Sequence, residues 1–154
     1  MHQIKERYLE DFAVGQTFGS GRVRIEPEKA IAFAAEFDPQ AFHLDEAAAR
    51  ESFFGGLTAS GWHTAAATMR LLTESDLKPA GGYIGAGVDG FRWPRPVRHG
   101  DELHIECEVI EVRQSKSRPQ QGLLKLRTTT LNQHGEPVMT YIATLVVQCR
   151  KDNL

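Results

Sequence analysis

Apolar and polar positions recur with two different periods along the chain, and the period changes near its middle. In the first half, Glu26-Pro27-Glu28 opens a stretch where Ala30, Phe33, Ala34 and Phe37 fall at i, i+3, i+4 and i+7. That spacing predicts a helix with proline in its first turn. Pro39 ends it and pushes the preceding residue out of the helical region, so Asp38 is expected at the helix exit on irregular backbone. Asp45 offers an N-cap to a short helix over 46–52. A longer helix follows over 60–77, with apolar or small residues at 62, 65, 66, 69, 72 and 77, and it stops before Pro79 and Gly81-Gly82. Its length would be about 27 Å. Trp62 and Met69 read as core residues of that helix.

The second half alternates with period two. Segments 83–93, 101–113, 122–132 and 136–150 each predict a strand, and 17–25 predicts an earlier one interrupted by Gly19 and Gly21. Leu103, Ile105, Cys107 and Val109 share one parity, then Ile110 and Val112 take the other, which predicts a β-bulge. The polar run 114–121 reads as a hairpin tip and Asn132-Gln133-His134-Gly135 as a turn. Short connections imply antiparallel pairing. The apolar run 139–147 reads as a strand buried on both faces. Helices first and consecutive strands after define an α+β class, with a bent antiparallel sheet packed around the 60–77 helix.

Composition narrows the picture. The 154 residues are 41% hydrophobic and 25% charged, as expected of a single soluble globular domain spanning 1–154. Cys107 and Cys149 lie inside strand patterns and read as buried thiols of a reducing compartment, which points to the cytoplasm. Residues 1–10 are polar, without the apolar core of an export signal, and no run is long enough for a membrane span. A formal net charge of −2 provides no general basic field for nucleic acid. No His, Cys and carboxylate set has zinc-like spacing, so no metal is expected. Gly85-Ala86-Gly87-Val88-Asp89-Gly90 spells a dinucleotide fingerprint, but it leads into Phe91-Arg92-Trp93-Pro94-Arg95-Pro96, which cannot open a helix. Close strand-to-helix approach is the expected reason for those glycines.

Candidate chemistry concentrates between the two Ala-rich helical patterns. Asp38 and His43 stand five positions apart in what reads as a constrained loop, a setting where polar groups are aimed rather than merely solvated. On spacing alone, a loop cap and a surface or satisfied histidine is the commoner reading of such a pair. His63 reads as a helix-face residue, and His99, His104 and His134 as solvated ones. Ser60-Gly61 lacks the G-x-S-x-G frame of a nucleophile elbow.

The run Asp38-Pro39-Gln40-Ala41-Phe42-His43-Leu44-Asp45 resembles the D-x-N-P-apolar-H-x-D signature of MaoC-like dehydratases and (R)-specific enoyl-CoA hydratases. Leu9-Glu10-Asp11-Phe12-x-Val14-Gly15, Gly56-Leu57-x-Ala59-x-Gly61 and Arg95-Pro96-Val97-x-x-Gly100-Asp101-x-Leu103 match that family in order. The chain departs from it at Gln40, where the family has Asn, and at Ala41, where it has Pro. Ser60, not His, precedes Gly61. The resemblance implies a single hotdog domain, an antiparallel five-stranded sheet wrapped around a central helix, and a homodimer or dimer of dimers with acyl-thioester sites near the interface. It further implies that Asp38 polarises or deprotonates a water, that His43 holds it and returns a proton, and that the Gly61 N–H binds the thioester carbonyl. Coenzyme A would enter only as part of the acyl-CoA substrate, with no other cofactor.

Gln40, Ser60, Arg92 and Arg95 are the substrate-binding candidates. The arginines, with Arg98, would meet nucleotide phosphates or stand as exposed strand-edge charges. Phe37, Phe42, Phe53, Phe54 and Trp62 would either narrow an acyl tunnel or fill the core. Two other activities compete with hydration. One is a non-catalytic acyl-CoA-binding or assembly module; the other is thioester hydrolysis, for which the long helix carries carboxylates only at Glu74 and Asp76, near its end.

Overall fold

The computed structural model describes residues 5–151, so the polar opening segment of the chain lies partly outside it. Six antiparallel strands make one sheet: β1 (Thr17–Gly19), β2 (Val23–Arg24), β3 (Ile84–Arg92), β4 (Glu102–Gln114), β5 (Gln121–Leu131) and β6 (Pro137–Gln148). Their order is β1-β4-β5-β6-β3, with β2 pairing β4 beside β1. Four helices precede β3: α1 (Pro27–Phe37), α2 (Ala41–Leu44), α3 (Glu46–Arg50) and α4 (Gly61–Glu74). This is the hotdog arrangement, a sheet packed around one principal helix.

The strand expected over 17–25 is split, which is why the sheet has six strands and not five. Gly19 pairs Glu106 while Val23 pairs Leu103, so the first segment carries one extra residue. At the break, the Ile105 N–H donates to Ser20 Oγ at 2.9 Å, a side chain standing in for a ladder carbonyl. The bulge in β4 lies where the parity change places it, between Val109 and Glu111. β6 departs from the doubly buried expectation. Met139, Tyr141, Leu145 and Val147 are buried, but Thr140, Ile142, Thr144 and Val146 on the other face are only half-buried.

The long helix stops at Glu74, three residues short of its expected end. Ser75 turns extended (φ −80°, ψ 173°) and its hydroxyl donates to the Leu72 carbonyl at 2.6 Å, as does Tyr83 OH at 2.7 Å. With those carbonyl lone pairs satisfied, the chain is free to drop Leu77, fully buried, into a second core cluster with Leu9, Phe12, Val109 and Leu124. The apolar stripe of α4 also needs correction. Its buried residues are Thr64, Ala67, Thr68, Leu71 and Leu72, while Trp62 and Met69 are 58% and 46% exposed. Two threonines reach the core because they find partners: Thr68 Oγ1 and Thr130 Oγ1, both fully buried, lie 2.6 Å apart. Ala67, Leu71 and Leu72 pack with Ile25, Val97, Leu103, Ile105 and Val138 in the main core. Burying each leucine there contributes about 2 kcal/mol.

Both thiols are buried and free, and burial pushes Cys107 up to about 11. Gly85, Gly87 and Gly90 belong to an exposed strand, and a Cβ built on any of them meets nothing within 4 Å. Close approach to a helix therefore does not explain them. Register shifts between Gly85 and Gly87 and between Asp89 and Arg92, together with φ +61° at Gly90, assign them to strand irregularity. Among the described residues no helix is long and apolar enough to cross a membrane.

Candidate active site

The site is assembled where α1 ends and α4 begins. Asp38 caps the C-terminus of α1 in an irregular conformation (φ −150°, ψ 64°), as the following proline demands. The loop expected from Asp38 to His43 is instead mostly a helical turn, α2, and His43 sits inside it with 5% exposure. Asp45 serves as the N-cap of α3, accepting from the Ala48 N–H at 2.9 Å; α3 ends at Arg50 rather than at 52. The Asp45 backbone N–H in turn donates to the Ala41 carbonyl at 2.9 Å, closing the helical turn that holds His43.

Three groups surround the Asp38 carboxylate. Gln40 Nε2 donates to Oδ1, and Ser60 Oγ donates to Oδ2 at 2.7 Å. His43 Nε2 lies 3.3 Å from Oδ2. On the far side of the ring, Nδ1 lies 2.9 Å from the Thr58 carbonyl oxygen, which fixes Nδ1 as the donor and turns Nε2 toward Asp38. Burial raises the Asp38 pKa, but the hydrogen bonds from Gln40 and Ser60 and the charge and hydrogen bond of His43 outweigh it, leaving the carboxyl below its ordinary value. Gln40 thus keeps contact with Asp38 although the family pattern has asparagine there.

Ser60 joins this pair to α4. Fully buried, it accepts from the Trp62 N–H through Oγ at 3.2 Å, and its carbonyl accepts from the His63 and Thr64 N–H groups. Within α4 the Trp62, His63 and Thr64 N–H groups are thus taken up by Ser60, while that of Gly61 finds no partner among the described residues. It stands at the positive end of a 14-residue helix.

A cavity of about 470 Å³ opens at these groups, and Asp38, Gln40, His43, Thr58, Gly61 and Thr64 are among the residues that line it. Its apolar wall carries Phe42, Phe53, Phe54, Trp62, Trp93 and Val97. Phe37 does not line it; the ring is 64% exposed and packs on Phe33. Arg95 reaches the rim and pairs with Glu136 at 3.1 Å, whereas Arg92 does not line the cavity. Arg98 holds the aromatic loop by donating to the Phe54 carbonyl at 2.7 Å and the Gly56 carbonyl at 3.3 Å.

Three features escape sequence reasoning. Trp93 lies against Gly61, where an open approach for a ligand is the expectation: a Cβ there would fall 2.7 Å from the indole. Thr64, 1% exposed, lines the cavity with its hydroxyl unpaired among the described residues. His99 and His104, expected in solvent, each bury one unpaired ring nitrogen; so does His63, whose ring stacks on Phe33.

A fold of this shape carrying a paired Asp and His beside a helix N-terminus defines a class, and comparison with known proteins supplies the family. The MaoC-like domain model matches residues 11–131, and the chain belongs to that family. The crystal structure of the MaoC-like dehydratase from Rhodospirillum rubrum is 56% identical, superimposes with a TM-score of 0.90, and covers 94% of this chain and 98% of its own. The (R)-hydratase from A. caviae is 29% identical with a TM-score of 0.72, over 92% of this chain and 99% of its own. YdeM, an uncharacterized protein of Bacillus subtilis, is 33% identical over 125 residues, which is 81% of this chain and 87% of the relative.

Proposed function

We propose that this protein is a hydro-lyase acting as a single domain that interconverts a 2-enoyl-CoA and an (R)-3-hydroxyacyl-CoA. The observation that carries the reading is the convergence of Asp38 and His43, 3.3 Å apart, beneath an apolar cavity whose edge is the unpaired Gly61 N–H. The hydrogen bonds from Gln40 and Ser60 favour the carboxylate form of Asp38, the form that can take a proton.

In hydration, Asp38 takes a proton from water as the water oxygen bonds to C3. The C2=C3 electron pair moves toward the thioester carbonyl, whose oxygen, as negative charge develops on it, accepts a hydrogen bond from the Gly61 N–H at the positive end of α4. His43 delivers a proton to C2. Proton passage from Asp38 to His43 across their direct contact restores both groups, and dehydration runs the same steps backwards. Similarity to an (R)-hydratase supports the reading.

Thioester hydrolysis has less support. Glu74 is held by Arg70 at 2.9 Å, at the far end of α4 from Gly61. Thirteen residues of helix separate them by about 20 Å.

We also infer a homodimer joined along β3. Among the described residues that strand pairs only with β6 and leaves its other edge open, with Ile84 52% and Val88 55% exposed.

The test of the activity is loss of enoyl-thioester absorbance when the protein meets crotonyl-CoA, with Asp38→Asn as control. Turnover abolished in the variant, with acyl-CoA binding retained, supports hydration through Asp38. Binding without turnover in the parent favours an acyl-CoA-binding module instead.

A further inference from the structure

We propose that Trp93 is a substrate-positioning residue: its indole fixes the Gly61 peptide and forms the flat wall against which a conjugated enoyl thioester lies. This rests on the hydratase reading and adds a group that neither the signature run nor its spacing contains.

Two contacts tie Trp93 to the donor. Nε1–H donates to the Gly61 carbonyl at 3.0 Å, and the ring edge occupies the space a side chain at 61 would need, 2.7 Å from an added Cβ at both Nε1 and Cε2. Real side chains do not approach that closely, so the indole requires glycine at 61. The requirement runs both ways, because any larger residue would displace the ring.

The indole is itself held from behind. Trp62 meets it edge-on at 5.2 Å and 83°, Phe91 at 4.6 Å and 62°, and Phe91 stacks on Tyr141 at 5.3 Å and 10°. Tyr141 is 8% exposed in β6, so the series is rooted in the sheet. Trp93 remains 41% exposed and lines the cavity. A rigid aromatic surface thus stands beside the one open N–H of α4. The same cavity is lined by Asp38 and His43 as well as by Trp93, Phe42, Phe54 and Val97, so its apolar residues are the place for the acyl carbons. The C=C–C=O–S system of a 2-enoyl thioester is planar, and a planar π-system gains from stacking on an indole.

Fluorescence and kinetics together test this. The chain has two tryptophans, so Trp62→Phe makes Trp93 the sole indole. Titration of that variant with crotonyl-CoA, with Asp38→Asn added so that the ligand is not hydrated, should quench or shift Trp93 emission to saturation. In the otherwise parental protein, Trp93→Ala should raise KM for crotonyl-CoA by about tenfold with a smaller change in kcat, and Trp93→Phe, which keeps a flat ring but loses the N–H, should fall between. Gly61→Ala should lose activity in the parent and recover part of it when combined with Trp93→Ala, which removes the colliding ring.

Unchanged emission at saturating crotonyl-CoA, no binding at all, or parental KM in Trp93→Ala would overturn the assignment. Saturable quenching alongside a parent that hydrates no enoyl-CoA would instead sink the hydratase reading and leave the position of Trp93 standing.

Discussion

Ser60 Oγ donates to Asp38 Oδ2 at 2.7 Å while accepting from the Trp62 N–H, so one hydroxyl both orients the carboxylate and caps the helix whose first residue, Gly61, lines the cavity. Ser60→Ala should therefore have two separable effects. Loss of the cap lowers stability by about 1 kcal/mol, read as a reduced midpoint in urea. Loss of a hydrogen bond to a charged group lowers kcat/KM for crotonyl-CoA by about one order of magnitude and lets the Asp38 pKa rise. A variant that loses stability but keeps parental kcat/KM would make Ser60 a cap only.

Stability should fall on mild acidification because of two histidines. Burial, with the charge of His99 behind it, lowers His63 below 6.5, and burial with the charge of His43 lowers His99. Unfolded, both titrate near 6.5 and bind protons that the folded state refuses. Their contribution is thus complete above that pH and is lost as pH falls through the depressed folded values. Asp38, and Asp11 held low by its hydrogen bond from Arg150, lose their contributions only below the ordinary carboxylate value of 3.8, outside this window. Thermal unfolding should show a lower Tm at pH 5.5 than at 7.5, and His99→Gln should flatten that slope. A flat Tm across the range in the parent would contradict the burial argument.

The Thr68–Thr130 contact predicts strong non-additivity. Thr68→Val keeps the shape but strands the Thr130 hydroxyl in the core, costing about 1–3 kcal/mol, whereas the double valine removes both polar groups and should lie near the parent. Chemical denaturation of the two singles and the double measures the coupling. Additive losses would mean that each hydroxyl has another partner.

Much of the fold is legible because local signals agree with it. Pro27 and Pro39 bracket α1, Asp45 caps α3, and the parity change at Ile110 marks the bulge in β4. The misreadings share a physical origin. Hydropathy reports which side chains avoid water but not what covers them, so Trp62 and Met69 resemble core while Thr64 and Thr68, buried through cavity and hydroxyl contacts, resemble surface. The split of the first strand depends on a Ser20 hydroxyl reaching the Ile105 N–H, 85 positions away. Likewise the pairing of Gly61 with Trp93 spans 32 positions and leaves no periodic trace. Asp38 and His43, close in sequence and bracketing one turn, were recoverable; the groups that orient them, Thr58 and Ser60, come from farther along the chain.

Dimerisation through β3 supplies the last prediction. The nine residues of this strand are exposed except Phe91, which is half-buried, and the strand presents one hydrogen-bonding edge to no partner among the described residues. Such an edge pairs readily with another strand, and pairing with its own copy across a two-fold closes it without exposing a new one. Val88 lies at the middle of β3, so Val88→Arg brings two like charges near each other in the dimer, an arrangement that is destabilising between directly opposed strands. Sedimentation should find the parent as a dimer at micromolar concentration and the variant as a monomer. A monomeric parent removes the β3 interface, and a variant that stays dimeric moves the interface to another surface. Because Arg92 and Phe91 end the same strand beside Trp93, the monomeric variant should also lose turnover if the cavity wall depends on a paired β3, whereas full activity in the monomer would make one chain sufficient for the site.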